Sequence, residues 1–181
     1  MNDIAMESSG WRALAESLQP DTVALRRAIH EEPELGLETP KTLAKVKAAL
    51  AGLPLEWKQG PSSTGAIAVL RGAKPGRTVL LRGDMDALPM PEDTGLPFRS
   101  KIANTMHACG HDTHTAMLAS AAKALCARRE ALAGTVLFMF QPGEEGWHGA
   151  KKMIDDGLLD NPAPDAAFAL HIIPNAPAGV F

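Results

Sequence analysis

The sequence predicts an α/β domain on a largely parallel sheet, and three observations carry that prediction. Apolar runs of strand length recur at residues 65–70, 78–81, 135–140 and 166–170. Segments of helical period alternate with them, in the order helices, two strands, helix, strand, helix, strand. Acidic and imidazole side chains follow directly on three of the runs, where open α/β sheets bind their ligands.

Residues 1–9 read as loose. Residues 11–18 form a short helical stretch closed by Gln19 and Pro20, and Asp21 reads as the N-cap of a second helix to about His30 with Val23, Leu25 and Ala28 as its apolar members. Pro33 interrupts. Thr39 and Pro40 restart a helix, Pro being favoured at the first helical position. Leu43, Val46 and Leu50 keep its period and Gly52 ends it. The runs at 65–70 and 78–81 are joined by Arg71, Gly72, Ala73, Lys74, Pro75 and Gly76, which reads as a hairpin or tight connection. A loop with Pro89, Pro91 and Pro97 extends to about Ala108. Asp112 is placed to cap a helix to about Arg128, with Met117, Leu118, Ala121 and Leu125 on one face. The continuous apolar run at 135–140 fits a strand buried on both faces. Residues 147–156 are helical up to Gly157, and 166–170 reads as another buried strand.

With 181 residues the chain suffices for one domain with a core. A net charge of -3 without a long basic run argues against nucleic acid, and 4% aromatic residues with no Tyr argue against a base-stacking surface. Two cysteines, Cys109 and Cys126, do not make a disulfide framework. Residues 1–10 carry acids and no apolar centre, so they do not read as a signal peptide. No stretch approaches the ~18 consecutive apolar residues of a membrane helix. These features lead to the expectation of a cytoplasmic enzyme, with neither nucleic acid nor membrane as partner.

Residues 106–114, Met-His-Ala-Cys-Gly-His-Asp-Thr-His, gather three imidazoles and a thiol into nine positions. Imidazole and thiolate are preferred ligands of zinc-like metals. Glu144 and Glu145 sit between glycines straight after the run at 135–140, Asp84 and Asp86 follow 78–81, and His171 follows 166–170. Clusters at three strand ends can converge on one crevice, which reads as a hydrolytic metal site. Cys126, mid-helix beside Leu125, reads as a small packed hydrophobe. His148 reads as exposed or at a rim. His30 reads as a helix-end residue whose charged form the helix dipole favours.

Five segments resemble one family: 30–36 (His-Glu-Glu-Pro-Glu-Leu-Gly), 81–89 (Leu-Arg-Gly-Asp-Met-Asp-Ala-Leu-Pro), 106–114, 140–146 (Phe-Gln-Pro-Gly-Glu-Glu-Gly) and 169–171 (Ala-Leu-His). They are similar to the metal-dependent amidohydrolases that include hippurate hydrolase, N-acyl-amino-acid aminoacylases and auxin-conjugate hydrolases, within the zinc-peptidase superfamily. The resemblance runs from about Leu25 to Phe181. It implies a phosphorylase/hydrolase-like catalytic domain, a three-layer mixed sheet with helices on both faces, here truncated. It implies hydrolysis of the amide bond of N-acyl amino acids, with Cys109, His111, Glu145 and His171 holding two divalent ions (manganese, zinc, nickel or cobalt) and Glu144 as general base. Asp86 matches an acidic residue that supports the site from behind. Asp84 stands where the wider superfamily usually has a ligand His. Asp84, His107, Asp112 and His114 are expected behind the ligands or in the pocket wall.

The resemblance also implies a lid domain that dimerises, inserted after His171, and a return segment with one more ligand His. The 181 residues therefore read as the N-terminal portion of the catalytic domain, without lid or return segment. Three other readings stay open. One is an inactive fragment that binds metal weakly. Another is a dipeptidase or carboxypeptidase of the same superfamily, against which the Cys-Gly-His-Asp run and Asp84 count. The third is a thiol-redox role for Cys109, disfavoured because no second cysteine lies near it in sequence.

Overall fold

The computed structural model describes the backbone of residues 2–177 and the side chains of residues 10–177; the end of the resembling stretch, 178–181, lies outside them. Helix α1 (Asn2–His30) and helix α2 (Pro40–Ala49) precede the strands β1 (Glu56–Gln59), β2 (Ala66–Arg71) and β3 (Lys74–Asp84). Helix α3 (His111–Ala127), strand β4 (Ala133–Gln141), helix α4 (Gly149–Asp155) and strand β5 (Ala166–Ala169) follow. The sheet order is β1-β2-β4-β3-β5. The β1/β2 and β2/β4 pairs are antiparallel, and β4/β3 and β3/β5 are parallel. The sheet is thus mixed, as expected, with parallel pairing confined to its site-bearing half.

Strand alternation distributes the core to two helical layers. Ala66, Ala68 and Leu70 with Val136, Phe138 and Phe140 face Leu43, Val46 and Leu50 of the α2 region and Leu118, Ala119 and Ala122 of α3. On the opposite face, Ile67, Val69, Leu80, Leu137 and Met139 receive Met153 of α4 and Leu158. Strand β4 has a neighbour on each side and a layer on each face, which is why its sequence is apolar without alternation. Cys126 packs against the first cluster as a small hydrophobe.

Five local expectations are corrected. First, residues 2–30 form one helix rather than a loose end and two stretches. Pro20 removes one amide donor, but Pro20 and Glu16 are exposed, so water can reach the carbonyl that loses its partner. Second, β2 and β3 are not a hairpin: β4 lies between them. The sheet gives its most apolar strand the centre. Third, the N-cap of α3 is Gly110, and Asp112 points toward α1 instead of capping. Fourth, β1 was not foreseen; its Glu-Trp-Lys-Gln sequence is short, polar and at an edge. Fifth, β5 is exposed along its length, with Phe168 at 61%, and Leu170 just beyond it is at 68%. It has β3 on one side, and among the described residues no helix covers it. Among the described residues no helix is long and apolar enough to cross a membrane.

Candidate metal centre

The site is assembled at the carboxyl ends of β3, β4 and β5 and at the start of α3. Asp84 ends β3 and Asp86 lies two residues on; Glu144 and Glu145 follow β4; His171 follows β5; Cys109 and His111 flank the turn into α3. The strand pairing that places Asp84 beside Gln141 and Arg82 beside Ala169 brings these segments to one edge.

His111 is the common member. It is buried, and its Nδ1 donates to the backbone oxygen of Asp86 at 2.8 Å. That fixes a proton on Nδ1 and leaves Nε2 as the ring nitrogen turned into the cluster. Nε2 is buried and has no hydrogen-bond partner. Around it lie Asp84 Oδ2 at 3.5 Å, Glu144 Oε2 at 3.8 Å and Glu145 Oε1 at 3.9 Å. His171 repeats the arrangement: Nδ1 donates to the oxygen of Ile172 at 2.6 Å, and Nε2 lies 3.3 Å from Cys109 Sγ. Three side-chain groups, Cys109–His111–His171, Asp84–His111–His114 and His111–Glu144–Glu145, each bring their ligand atoms within 4.8 Å of one another. Imidazoles held at Nδ1 by carbonyls, with Nε2 turned into a cluster of thiol and carboxylates, fit a divalent cation. A buried polar atom left without a partner is costly, and a cation at Nε2 would remove that cost.

The electrostatics agree. Burial, followed by the charges of Glu145, Glu144 and Asp84, pushes the Cys109 thiol up to about 11. Negative charge is thus concentrated here, and a cation would reverse that effect and favour the thiolate. Asp86 is buried; its Oδ1 accepts from the Glu144 amide at 2.9 Å and Oδ2 from the Glu145 amide at 3.0 Å. Burial raises its pKa, but His111 and these amides outweigh burial and hold it below the usual carboxylate range. Asp84 accepts from His114 Nδ1 at 2.7 Å and from Arg82 Nη1 at 2.5 Å. Burial opposes ionisation here as well, yet His114, His111 and Arg82 hold its pKa down.

The structure therefore brings Cys109, His111, Glu144, Glu145, His171, Asp84, Asp86 and His114 together. Asp112 and His107 lie apart, toward α1. Asp112 Oδ2 pairs with His30 Nδ1 and with Arg26 Nε, both at 2.7 Å, and His30 Nε2 reaches Glu92 at 3.2 Å. His107 is buried with both ring nitrogens unpartnered, and burial pushes its pKa down to about 4. Sequence reasoning missed this network, because His30 and Asp112 are 82 positions apart. His148 is exposed, as expected.

Comparison with known proteins gives a consistent picture. Residues 80–181 match peptidase family M20/M25/M40. The chain is 44% identical over 162 residues to thermostable carboxypeptidase 1 of Saccharolobus solfataricus, covering 88% of this chain and 41% of that protein. It is 42% identical to an N-acetylcysteine deacetylase of Bacillus subtilis, covering 87% and 41%. It is 43% identical to IAA-amino acid hydrolase ILR1-like 5 of Arabidopsis thaliana, covering 94% and 39%. Among solved structures, a Bacillus subtilis dinuclear metal-binding peptidase of the M20 family superposes with a TM-score of 0.85 at 41% identity, over 91% of this chain and 45% of that one. The chain spans about two fifths of the length of these curated relatives.

Proposed function

The chain belongs to the hydrolase family M20/M25/M40, and from that premise we propose that it contributes the metal-binding and proton-transfer residues for hydrolysing the amide bond of an N-acyl amino acid. The observation that carries this reading is the buried, partnerless Nε2 of His111 beside Glu144 and Glu145. Cys109, His111, Glu145 and His171 would hold a pair of divalent ions (manganese, zinc, nickel or cobalt). Such ions, when bound, lower the pKa of water toward ~7 and polarise the amide carbonyl.

The chain's own residues supply the remaining steps. Glu144, the more exposed of the two glutamates at 43%, takes the proton of the attacking water and passes it to the departing amine nitrogen. Asp86 fixes the amides of both glutamates, so that one carboxylate stays with the cation ligands and its neighbour stays free to move a proton. Asp84 is engaged by His114 and Arg82, which supports a role behind the ligands rather than among them.

The activities named for the relatives share one bond, an amide made by an amino acid nitrogen. A carboxypeptidase reading differs only in the acyl side, and the carboxypeptidase at 44% identity favours keeping it as the second reading. The test is hydrolysis of N-benzoylglycine, N-acetylcysteine and a benzoyl dipeptide by the manganese-loaded chain, against Glu144→Gln. Turnover that vanishes in Glu144→Gln with metal content unchanged is the expected result. Undiminished turnover in that variant overturns the role of Glu144. A metal-loaded wild-type chain without turnover overturns the sufficiency of these residues. Preference for the dipeptide selects the second reading.

A further inference from the structure

His171 stands just beyond β5, which is exposed and paired on one side only, so something must hold that segment against the site. We propose that His114 is a positioning residue, a latch that holds the segment after β5 so that His171 meets Cys109. The proposal rests on the reading of His171 as a metal ligand.

The backbone N–H of Ile172 donates to His114 Nε2 at 3.0 Å. An amide N–H can only donate, so Nε2 must carry a lone pair and the ring proton must sit on Nδ1. Nδ1 then donates to Asp84 Oδ1 at 2.7 Å. Asp84 is itself fixed by Arg82, whose Nε donates to Gln141 Oε1 at 2.8 Å. The tautomer of His114 is therefore set by a buried carboxylate on β3, and its acceptor is aimed at one amide of the segment leaving β5.

A second grip acts on the same residue. The Ile172 side chain occupies the space over Gly110, where a Cβ would overlap its Cγ1 and Cδ1. Gly110 has φ +83, a left-handed conformation that suits glycine. It lies between Cys109 and His111. Ile172 is thus pinned by its side chain to the turn that bears two proposed ligands, and by its amide to the helix that follows. His171 is locked in turn, its Nδ1 donating to the Ile172 oxygen and its ring 4.6 Å from that of His114. His114 has both ring nitrogens engaged, which leaves it no lone pair for an ion. It acts through His171.

The test uses the full chain, labelled with nitrogen-15 for NMR and titrated with cobalt(II). In the metal-free wild type, a coupling across the hydrogen bond from the Ile172 amide nitrogen to His114 Nε2 is expected, with slow exchange of that amide. His114→Leu removes the acceptor, His114→Gln keeps one, and Ile172→Pro removes the donor at a residue 43% exposed. Loss of a partner that orients a ligand lowers metal affinity roughly 10–100-fold. His114→Leu and Ile172→Pro should show that loss in the thiolate-to-cobalt absorption, and His114→Gln should recover most of it. Wild-type affinity and spectrum in both His114→Leu and Ile172→Pro overturn the latch, as does absence of the coupling. Cys109→Ala separates the two claims: an absorption unchanged by it sinks the metal reading. The latch is then decided by the Ile172 amide, whose exchange accelerates in His114→Leu if the latch exists and is unchanged if it does not.

Discussion

Replacing Asp86 by Asn keeps the shape of the side chain and removes its charge, which isolates what the carboxylate does. Asp86 is 1% exposed and receives two backbone amides, one on each oxygen. Asn offers one oxygen and one amino group, so in either orientation a backbone N–H of Glu144 or Glu145 faces another donor. A hydrogen bond to a charged group is worth about 1.5–3 kcal/mol and a neutral one about 1 kcal/mol. Losing one and weakening the other gives a destabilisation of about 3 kcal/mol. Against a urea slope of about 1–3 kcal/mol per molar, the unfolding midpoint should fall by at least about 1 M. The assay is urea unfolding in chelator, followed by tryptophan fluorescence, beside a cobalt titration in which the variant binds more weakly because Glu145 loses its anchor. An unchanged midpoint at unchanged slope, with unchanged cobalt affinity, would refute the claim that Asp86 holds the Glu144–Glu145 turn.

Three other outcomes are expected. Phe138→Ala removes a fully buried ring from the centre of β4 and should cost about 3–5 kcal/mol in denaturant unfolding. Gly149→Ala places a Cβ against the backbone oxygen of Pro142, at the start of the turn that bears Glu144 and Glu145. It should weaken cobalt binding and lower stability by about 1–3 kcal/mol, read in the same two titrations. The third concerns His30, whose pKa is raised by its hydrogen bond to Asp112, opposed by burial and reinforced by Glu92. A raised folded pKa contributes stability that is complete below the unfolded value of ~6.5 and is lost as pH rises through the folded value. The stability gap between wild type and His30→Leu should therefore be widest just below pH ~6.5 and narrow on going alkaline; a gap that widens there contradicts the pairing.

Much of the fold was legible because its signals are local. The run at 135–140 reads as a doubly buried strand because nothing polar interrupts it, and β4 is the central strand. The helix after Gly110 reads from its period. The clustering of Cys109, His111, Glu144 and His171 followed from each standing next to a strand or helix end, which an α/β sheet gathers along one edge. Pairing between distant segments left no such mark. Nothing in residues 65–81 announces that β4 will enter between β2 and β3, and nothing near His30 announces Asp112. Burial of β5 was misjudged for a related reason: apolar composition states a preference for cover and does not supply the covering element. Pro20 misled because its penalty falls on a carbonyl that water can reach.

The contact between Cys109 and His171 joins residues 62 positions apart in the chain. A cation held by both would act as a reversible cross-link, closing a loop of that length. In polymer terms, such a closure removes about 4 kcal/mol of conformational freedom from the unfolded chain. That is comparable with a disulfide, in a protein whose two thiols are both free. The loop contains α3, β4, α4 and β5, so the clasp would tie the edge strand to the start of α3 and slow its fraying. Ion loading would then set how firmly the end of the sheet is fastened, and proteolysis near residue 170 would report whether the clasp is shut.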